Sequence, residues 1–251
     1  MHNELLTIGP ITIYGYGLMI AIGVIAALLV GEYRANKRGL NGDLIYGMTF
    51  SAVIFGFVAA RILFIITEWR DFLQNPKDLI AGNGFVVYGG IIGGILTVYI
   101  YCRLKKVNFI DYFDLMVPSV ALAQGFGRIG CFLAGCCYGR ETDSIFGIVF
   151  HNSAYAPNNV RLIPTQLMMS AGDFVIAAIL LWYSKKERTK GKTGTLYLIL
   201  YSIGRFIIEF FRNDDRGAVG VLSTSQFIGI FMFVIALYLF FFYFPKRKQE
   251  A

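Results

Sequence analysis

Seven long apolar runs constrain what this chain can fold into. A helix needs about 20 mostly apolar residues to cross the hydrocarbon core of a bilayer. The runs lie at residues 14–31, 44–67, 85–101, 109–134, 165–184, 195–211 and 226–244. Charged residues make up only 16% of the chain, whereas soluble domains carry about 25%. The sequence therefore predicts an all-α, polytopic integral membrane protein with about seven transmembrane helices.

The basic residues predict how these spans are oriented. Fourteen of the 23 Lys and Arg residues follow the first, third, fifth and seventh spans. Cytoplasmic loops are enriched in Lys and Arg, so the N-terminus is predicted outside and the C-terminus in the cytoplasm. The net charge of +7 is explained in the same way, and no nucleic-acid partner is expected. We predict one membrane domain over residues 1–251, with residues 135–163 as a small extracytoplasmic cap segment within it.

Three arginines interrupt the apolar spans. Arg61, Arg128 and Arg205 each lie late in a span that runs outward, which places them in the outer half of the bilayer. A charge at the bilayer centre costs roughly 2.5 to 3.5 kcal/mol, so each guanidinium group needs a partner or a wet cavity. Glu209 lies one helical turn after Arg205 and is its expected partner. Internal pairing or snorkelling to the interface stays open, chiefly for Arg61.

Other polar and small residues are predicted at the same depth, at the start of the inward-running spans. Tyr16 lies in the first span, Tyr88 with Gly89 and Gly90 in the third, and Gln166 in the fifth. The glycines either let helix backbones approach closely or admit substrate near the backbone. Both interpretations stay open.

This combination favours an anionic ligand. A guanidinium group is planar, permanently charged and can donate two parallel hydrogen bonds to a phosphate. The predicted spans contain no lysine. We therefore predict a phospholipid substrate whose phosphate is bound, chiefly by Arg128 and Arg205. Arg61 and Arg212 are weaker candidates for the same role.

The chain resembles the bacterial prolipoprotein diacylglyceryl transferases through a series of motifs in the family's order. The motifs are Tyr16-Gly17-Leu18-Met19, Gly56 with Ala60-Arg61, Tyr88-Gly89-Gly90-Ile91-Ile92-Gly93, Gly127-Arg128-Ile129-Gly130, Pro164-Thr165-Gln166-Leu167, and Gly204-Arg205-Phe206 with Glu209-Phe210-Phe211-Arg212. The resemblance implies a multi-pass enzyme of the bacterial plasma (inner) membrane. Such enzymes move the diacylglyceryl group of phosphatidylglycerol to the lipobox cysteine thiol of a preprolipoprotein and release glycerol phosphate. It also implies phosphatidylglycerol, the preprolipoprotein signal peptide and its lipobox as partners, an active site toward the outer leaflet, and no cofactor.

The resemblance also implies roles for individual residues. The predicted catalytic residues are Arg128, Arg205, Tyr88 and Glu209, and the predicted substrate-binding residues are Tyr16, Arg61, Gly89, Gly90, Gln166 and Arg212. Tyr88 occupies the position of the family's usual histidine. The thiol proton is accepted by Tyr88 or by Glu209, or the thiol ionises beside the guanidinium groups without a strong base.

Several positions depart from the family's pattern. Cys131 replaces a usual asparagine, Ala134 and Cys136 stand at positions that are often asparagine and glutamate, and Met168 and Met169 replace tyrosine and glutamate. These departures indicate a divergent branch. Two alternative functions follow: a paralogous phospholipid-dependent transferase with another acceptor, and a phospholipid-binding or transport protein without catalysis.

Three of the four cysteines cluster directly after the Gly127-Arg128-Ile129-Gly130 motif. Cys131, Cys136 and Cys137 have the spacing C-x4-C-C, which lacks the paired C-x2-C units of structural zinc sites, so no metal is predicted. Cys131 is expected to pack as a small apolar residue. A disulfide involving Cys136 or Cys137, and a thiol that carries the diacylglyceryl group transiently, are the alternatives.

Overall fold

The computed structural model describes residues 4–8, 11–77, 84–186, 188–213 and 217–244, and most of them are helical. The helices are α1 (Gly15–Lys37), α2 (Asp43–Thr67), α3 (Trp69–Gln74), α4 (Val87–Leu104), α5 (Phe109–Ala134), α6 (Thr165–Tyr183), α7 (Lys192–Glu209) and α8 (Thr224–Tyr238), which continues as a π-helix over Leu239–Tyr243. The chain divides into two compact units, Met1–Val30 with Phe113–Ala251, and Gly31–Tyr112. The predicted single membrane domain and its cap segment stay predictions.

Six helices in the described residues are long and apolar enough to cross a membrane. They are α1, α2, α4, α5, α6 and the combined segment Thr224–Tyr243. This confirms the prediction of an all-α, polytopic membrane protein. The remaining predicted span, 195–211, coincides with α7, which is less apolar because it carries Lys192, Arg205 and Glu209. The count of seven spans and the orientation stay predictions.

Three short antiparallel strand pairs lie outside the helices in the described part of the chain. Strands β1 (Glu4–Ile8) and β2 (Ile11–Tyr14) pair before α1, β3 (Ile148–Val149) pairs with β4 (Arg161–Leu162), and β5 (Ala218–Val219) pairs with β6 (Leu222–Ser223). In the segment 135–163, Phe150, Ala156 and Leu162 are buried together. This segment therefore has a small apolar cluster of its own.

In the unit Gly31–Tyr112, helices α2 and α4 pack closely through small residues. A Cβ atom added at Gly89 would lie 2.7 Å from the carbonyl oxygen of Ala59 and 3.0 Å from Cα of Ala60. A Cβ atom at Gly90 would lie 3.5 Å from Cβ of Ala60, an ordinary contact. Close backbone approach therefore requires glycine at position 89 and not at position 90.

We expect Gly89→Ala to destabilise the protein by about 1 to 3 kcal/mol, because the new methyl group meets backbone that cannot move away cheaply. Gly90→Ala is the matched control, and its unfolding temperature should stay at or above that of the wild type, since alanine favours the helix. Thermal unfolding of both variants in detergent measures the difference. Equal unfolding temperatures for Gly89→Ala and the wild type would contradict the packing role.

In the other unit, helices α5, α6 and α7 share an apolar core formed by Val117, Ala121, Ile176, Ala177 and Leu180. The first turn of α7 is held by a buried carboxylate from α5. Asp114 accepts hydrogen bonds from the backbone N–H groups of Gly191 (2.6 Å) and Gly194 (2.7 Å). Because the first N–H groups of a helix have no partner within the helix, this carboxylate caps α7 from a neighbouring element.

We expect Asp114→Ala to destabilise the protein by about 2 to 3 kcal/mol, because it leaves buried N–H groups of α7 without their acceptor. Asp114→Asn, which keeps one acceptor oxygen, should lose less. The measurement is the unfolding temperature in detergent, with exposed Asp143→Ala as the control for removing an aspartate. An Asp114→Ala variant with the same unfolding temperature as the Asp143→Ala control would refute the capping role.

Candidate functional site

Arg205 on α7 is the best-defined guanidinium group of the site. Its Nη2 lies 3.3 Å from Oε2 of Glu209, which confirms the predicted pairing one helical turn apart. The same nitrogen donates a 2.9 Å hydrogen bond to Oγ of Ser225 in the first turn of α8. Its Nη1 is buried and has no hydrogen-bond partner among the described residues. The guanidinium group is thus held on one side and keeps a donor for a ligand on the other.

Arg205 lines a cleft between helices α6 and α7. The other lining residues are Met168, Met169, Gly172, Asp173, Ile176, Tyr201, Gly204 and Ile208. The walls are mostly apolar, with one carboxylate and one guanidinium group among them. Such a lining suits a lipid with an anionic headgroup.

Asp173 places a buried carboxylate at this cleft, and its side chain is only 5% exposed. It interacts electrostatically with both Arg128 on α5 and Arg205 on α7. Arg128 also interacts with Tyr201, which lies one helical turn before Arg205. Two predicted phosphate ligands therefore lie within electrostatic range of one acid, and three helices contribute to this arrangement.

Gln166 and Arg212 lie in the same compact unit as the arginines Arg128 and Arg205. Gln166 is fully buried, donates from Nε2 to the carbonyl oxygen of Cys136 (2.7 Å), and its Oε1 has no partner among the described residues. Arg212 is buried, and its backbone forms an antiparallel bridge with Gly139. The segment that follows α5 thereby holds the Gln166 side chain and the Arg212 backbone.

Tyr16, in the first turn of α1, also belongs to this unit. A Cβ atom added at Gly130 would lie 3.1 Å from Cδ2 of Tyr16, so the ring packs against the glycine of the Gly-Arg-Ile-Gly motif. Tyr16 interacts electrostatically with Arg128 and with the three clustered cysteines. The structure thus brings together Arg128, Arg205, Glu209, Tyr16, Gln166 and Arg212 in one compact unit.

The remaining predicted site residues belong to the unit Gly31–Tyr112. Arg61 donates from Nη1 to the carbonyl oxygen of Gly84, and its guanidinium group lies 5.4 Å from the ring centroid of Phe64 and 5.3 Å from that of Phe85. These contacts favour the structural alternative for Arg61. Tyr88 is 37% exposed in the first turn of α4, beside Gly89 and Gly90. Roles of these four residues in binding or catalysis stay predictions.

The cysteines after α5 are free thiols close to the arginines. Hydrogen bonds from the Cys131 and Cys136 thiols lower the pKa of the Cys137 thiol, and the guanidinium groups of Arg212 and Arg128 act in the same direction. The hydrogen bond with Cys131 raises the pKa of the Cys136 thiol, as does that with Cys137. The Cys137 thiol is therefore more readily ionised than the Cys136 thiol.

Sequence reasoning missed two residues of this site. Asp173 is the only acidic residue in the predicted span 165–184, and an acid within an apolar span is itself a signal of function. Tyr201 lies four residues before Arg205 on the same face of α7. Tyr201 was therefore predictable from its helical spacing to Arg205, and Asp173 from its position as an acid within an apolar span.

The fold and this site define a class: a multi-pass, helical membrane protein with an arginine and a buried aspartate at an apolar cleft. The family profile described as prolipoprotein diacylglyceryl transferase matches residues 3–242. The chain therefore belongs to that family, which confirms the resemblance seen in the sequence motifs.

Curated bacterial relatives agree with the family assignment. The phosphatidylglycerol–prolipoprotein diacylglyceryl transferase of Clostridium tetani is 50% identical over 243 residues, covering 96% of this chain and 97% of the relative. An enzyme of Clostridium perfringens with the same name, numbered 2, is 52% identical and covers 91% of this chain and 90% of the relative. The enzyme of that name from Staphylococcus haemolyticus is 33% identical and covers 98% and 90%, respectively.

Proposed function

We propose that this protein transfers the diacylglyceryl group of phosphatidylglycerol to the lipobox cysteine thiol of preprolipoproteins and releases glycerol phosphate. The observation that carries the proposal is the buried Nη1 of Arg205, which has no partner among the described residues and lies at an apolar cleft beside Asp173. A phosphate supplies the acceptor that this donor lacks. Family membership and the names of the relatives support the same reaction.

The proposed reaction is a substitution at the carbon of the diacylglyceryl group that carries the phosphate. The thiolate sulfur forms a bond to that carbon, the bond from carbon to the phosphate oxygen breaks, and glycerol phosphate leaves with the electron pair. Arg128 and Arg205 bind the phosphate and neutralise the charge that develops on the leaving oxygen. Half-buried guanidinium groups suit this task, because they need no reorganisation during the reaction and remain protonated.

The thiol proton needs an acceptor. We propose Asp173 as a candidate in addition to the predicted candidates Tyr88 and Glu209. Asp173 lines the same cleft as Arg205. Glu209 already forms a salt bridge with Arg205, which makes it the better candidate for positioning that guanidinium group. The ionised thiol of the lipobox cysteine and the bound phosphate then meet in one polar site surrounded by apolar walls.

We further propose that the site opens toward the outer leaflet of the bacterial plasma membrane. The orientation predicted from the Lys and Arg distribution supports this placement, since Arg128 and Arg205 both lie late in outward-running spans. Gln166, with its buried Oε1, and Tyr16 are proposed to contact the lipid headgroup or the lipobox backbone. The signal peptide of the preprolipoprotein is the proposed protein partner.

The test uses the purified full chain with phosphatidylglycerol and a lipobox peptide, and it measures lipidated peptide and free glycerol phosphate together. Equal amounts of both products are expected, and a peptide with serine in place of the lipobox cysteine should yield neither. Glycerol phosphate without lipidated peptide would instead favour a paralogue with another acceptor, which the departures at Cys131 and Cys136 motivate. Lipid binding without either product would refute an enzymatic role.

A further inference from the structure

The end of helix α5 brings three thiols together. The Sγ atoms of Cys131, Cys136 and Cys137 all lie within 4.8 Å of one another. The cause is local and begins with Gly135, whose φ of +76° ends the helix in the left-handed conformation. The N–H of Gly135 bonds to the carbonyl oxygen of Phe132 (3.1 Å), and that of Cys136 bonds to the carbonyl oxygen of Cys131 (3.1 Å).

These two bonds are the Schellman pattern of helix termination, in which the second residue after the helix folds back over the last turn. Cys136 is that second residue, and Cys131 is the residue of the last turn that it meets. The C-x4-C spacing with glycine before the second cysteine therefore places two thiols side by side. The pattern is different from the paired C-x2-C loops on which zinc sites are usually recognised.

The backbone that carries the third thiol is held by helix α6. Cys137 has a φ of +59°, a conformation that is uncommon for a residue other than glycine. The backbone there is held by the first turn of α6: Gln166 donates to the carbonyl oxygen of Cys136 (2.7 Å), and Thr165 donates from Oγ1 to that of Cys137 (2.8 Å). Residues of two helices thus hold the backbone of the cluster in place. Three thiols that were close only by chance would not need such support.

We propose that Cys131, Cys136 and Cys137 form a binding site for one thiophilic divalent cation of the class of Zn²⁺. At a Zn–S distance of about 2.3 Å, tetrahedral coordination separates the sulfurs by about 3.8 Å, so the thiols need to move together by at most about 1 Å. Each thiol loses its proton to solvent as the cation binds, and no oxidation or reduction is involved.

The surrounding charges suit such a complex. Three thiolates and one divalent cation carry a net charge of −1, which is costly in a half-buried place without a counter-charge. Arg128 interacts electrostatically with Cys131 and Cys137, and Arg212 interacts with Cys137. The guanidinium groups therefore stabilise the anionic complex.

The cluster supplies three ligands, and no further His, Cys, Asp or Glu of the described residues joins the group. Cys131 is buried, whereas Cys136 and Cys137 are half-buried, so the cluster is closed on one side and accessible on the other. Three protein ligands with one open position are typical of reactive rather than purely structural zinc sites. The open position would take water or an incoming thiol.

The test titrates the full-length protein, purified in detergent and stripped of metal and reductant, with Co²⁺ and then Zn²⁺. We expect thiolate-to-cobalt charge-transfer absorption that saturates at one ion per chain and is abolished by Zn²⁺. Cys131→Ser, Cys136→Ser and Cys137→Ser should each weaken binding by at least about tenfold. Cys102→Ser, at a buried cysteine outside the cluster, is the matched control and should leave binding unchanged.

A second measurement avoids variants altogether. Zn²⁺ should protect Cys131, Cys136 and Cys137 of the wild-type protein from alkylation, as mapped by mass spectrometry. The proposal is overturned if no charge-transfer absorption appears, if Cys131→Ser binds as the wild type does, or if two of the three cysteines are joined in a disulfide in the purified protein. It is equally overturned if the Cys102→Ser control alone loses the ion.

Discussion

Replacing Arg205 with alanine should lower the rate of diacylglyceryl transfer on the order of 10²- to 10³-fold, the usual cost of removing one preorganised charge-stabilising group. The guanidinium group of Arg205 is oriented by Glu209 and Ser225 and keeps a buried donor at the cleft. Its removal takes away stabilisation of the phosphate leaving group. Arg128→Ala should behave similarly, since Arg128 and Arg205 both interact electrostatically with Asp173.

The assay follows lipidated peptide over time in vesicles that contain phosphatidylglycerol, with the amount of inserted protein measured in parallel. Arg205→Ala removes a salt bridge from buried Glu209 and so risks destabilisation. The double variant Arg205→Ala/Glu209→Gln removes both charges and keeps the test valid if the single variant unfolds. Arg103→Ala, at an exposed arginine near the end of α4, is the control. Wild-type turnover in inserted Arg205→Ala would refute the phosphate-binding role.

Asp173→Asn should lower the rate of transfer on the order of 10²-fold or more, because an amide of nearly the same shape cannot accept the thiol proton. The carboxylate is buried at the cleft and interacts with the guanidinium groups of Arg128 and Arg205. Asp173→Glu restores a carboxylate and should recover part of the lost rate. Release of glycerol phosphate and formation of lipidated peptide should fall together.

The control for Asp173→Asn is Val175→Ala, an exposed position on the same helix that leaves the cleft lining intact. Thermal unfolding in detergent separates a chemical role from a structural one. A purely structural acid would lower the unfolding temperature and leave the turnover of the folded fraction unchanged. That outcome, or an Asp173→Asn variant as active as Asp173→Glu, would exclude Asp173 as the proton acceptor.

The membrane class and the main helices were predictable from the sequence because they follow from long apolar runs. The predicted span 44–67 coincides almost residue for residue with α2 (Asp43–Thr67), and 109–134 coincides with α5 (Phe109–Ala134). Short hairpins such as β3 with β4 escaped prediction because a two-residue strand carries no periodic pattern. The pairing of Arg205 with Glu209 was also predictable, since it depends only on the 3.6-residue helical repeat.

The roles of the paired glycines and of the intramembrane arginines required the tertiary structure, because each depends on contacts between residues far apart in the chain. Gly89 and Gly90 look alike in sequence, and only the position of α2 distinguishes the glycine that packing requires from the one that it does not. Arg61 and Arg205 look alike as intramembrane arginines, yet Arg61 contacts two aromatic rings and a carbonyl group, while Arg205 faces a cleft.

The cysteines show the same division between sequence and structure. The sequence contains the glycine that ends α5 and the two cysteines that a Schellman turn brings together. The backbone that carries the third thiol, however, is held by Gln166 and Thr165, almost 30 residues further along. By itself the sequence determined the membrane class and the family, and it predicted the arginines of the candidate site. Tertiary packing decided which arginine keeps a donor at the cleft, which acid lies beside it and which thiols form a cluster, because side-chain burial and orientation depend on the neighbouring helices.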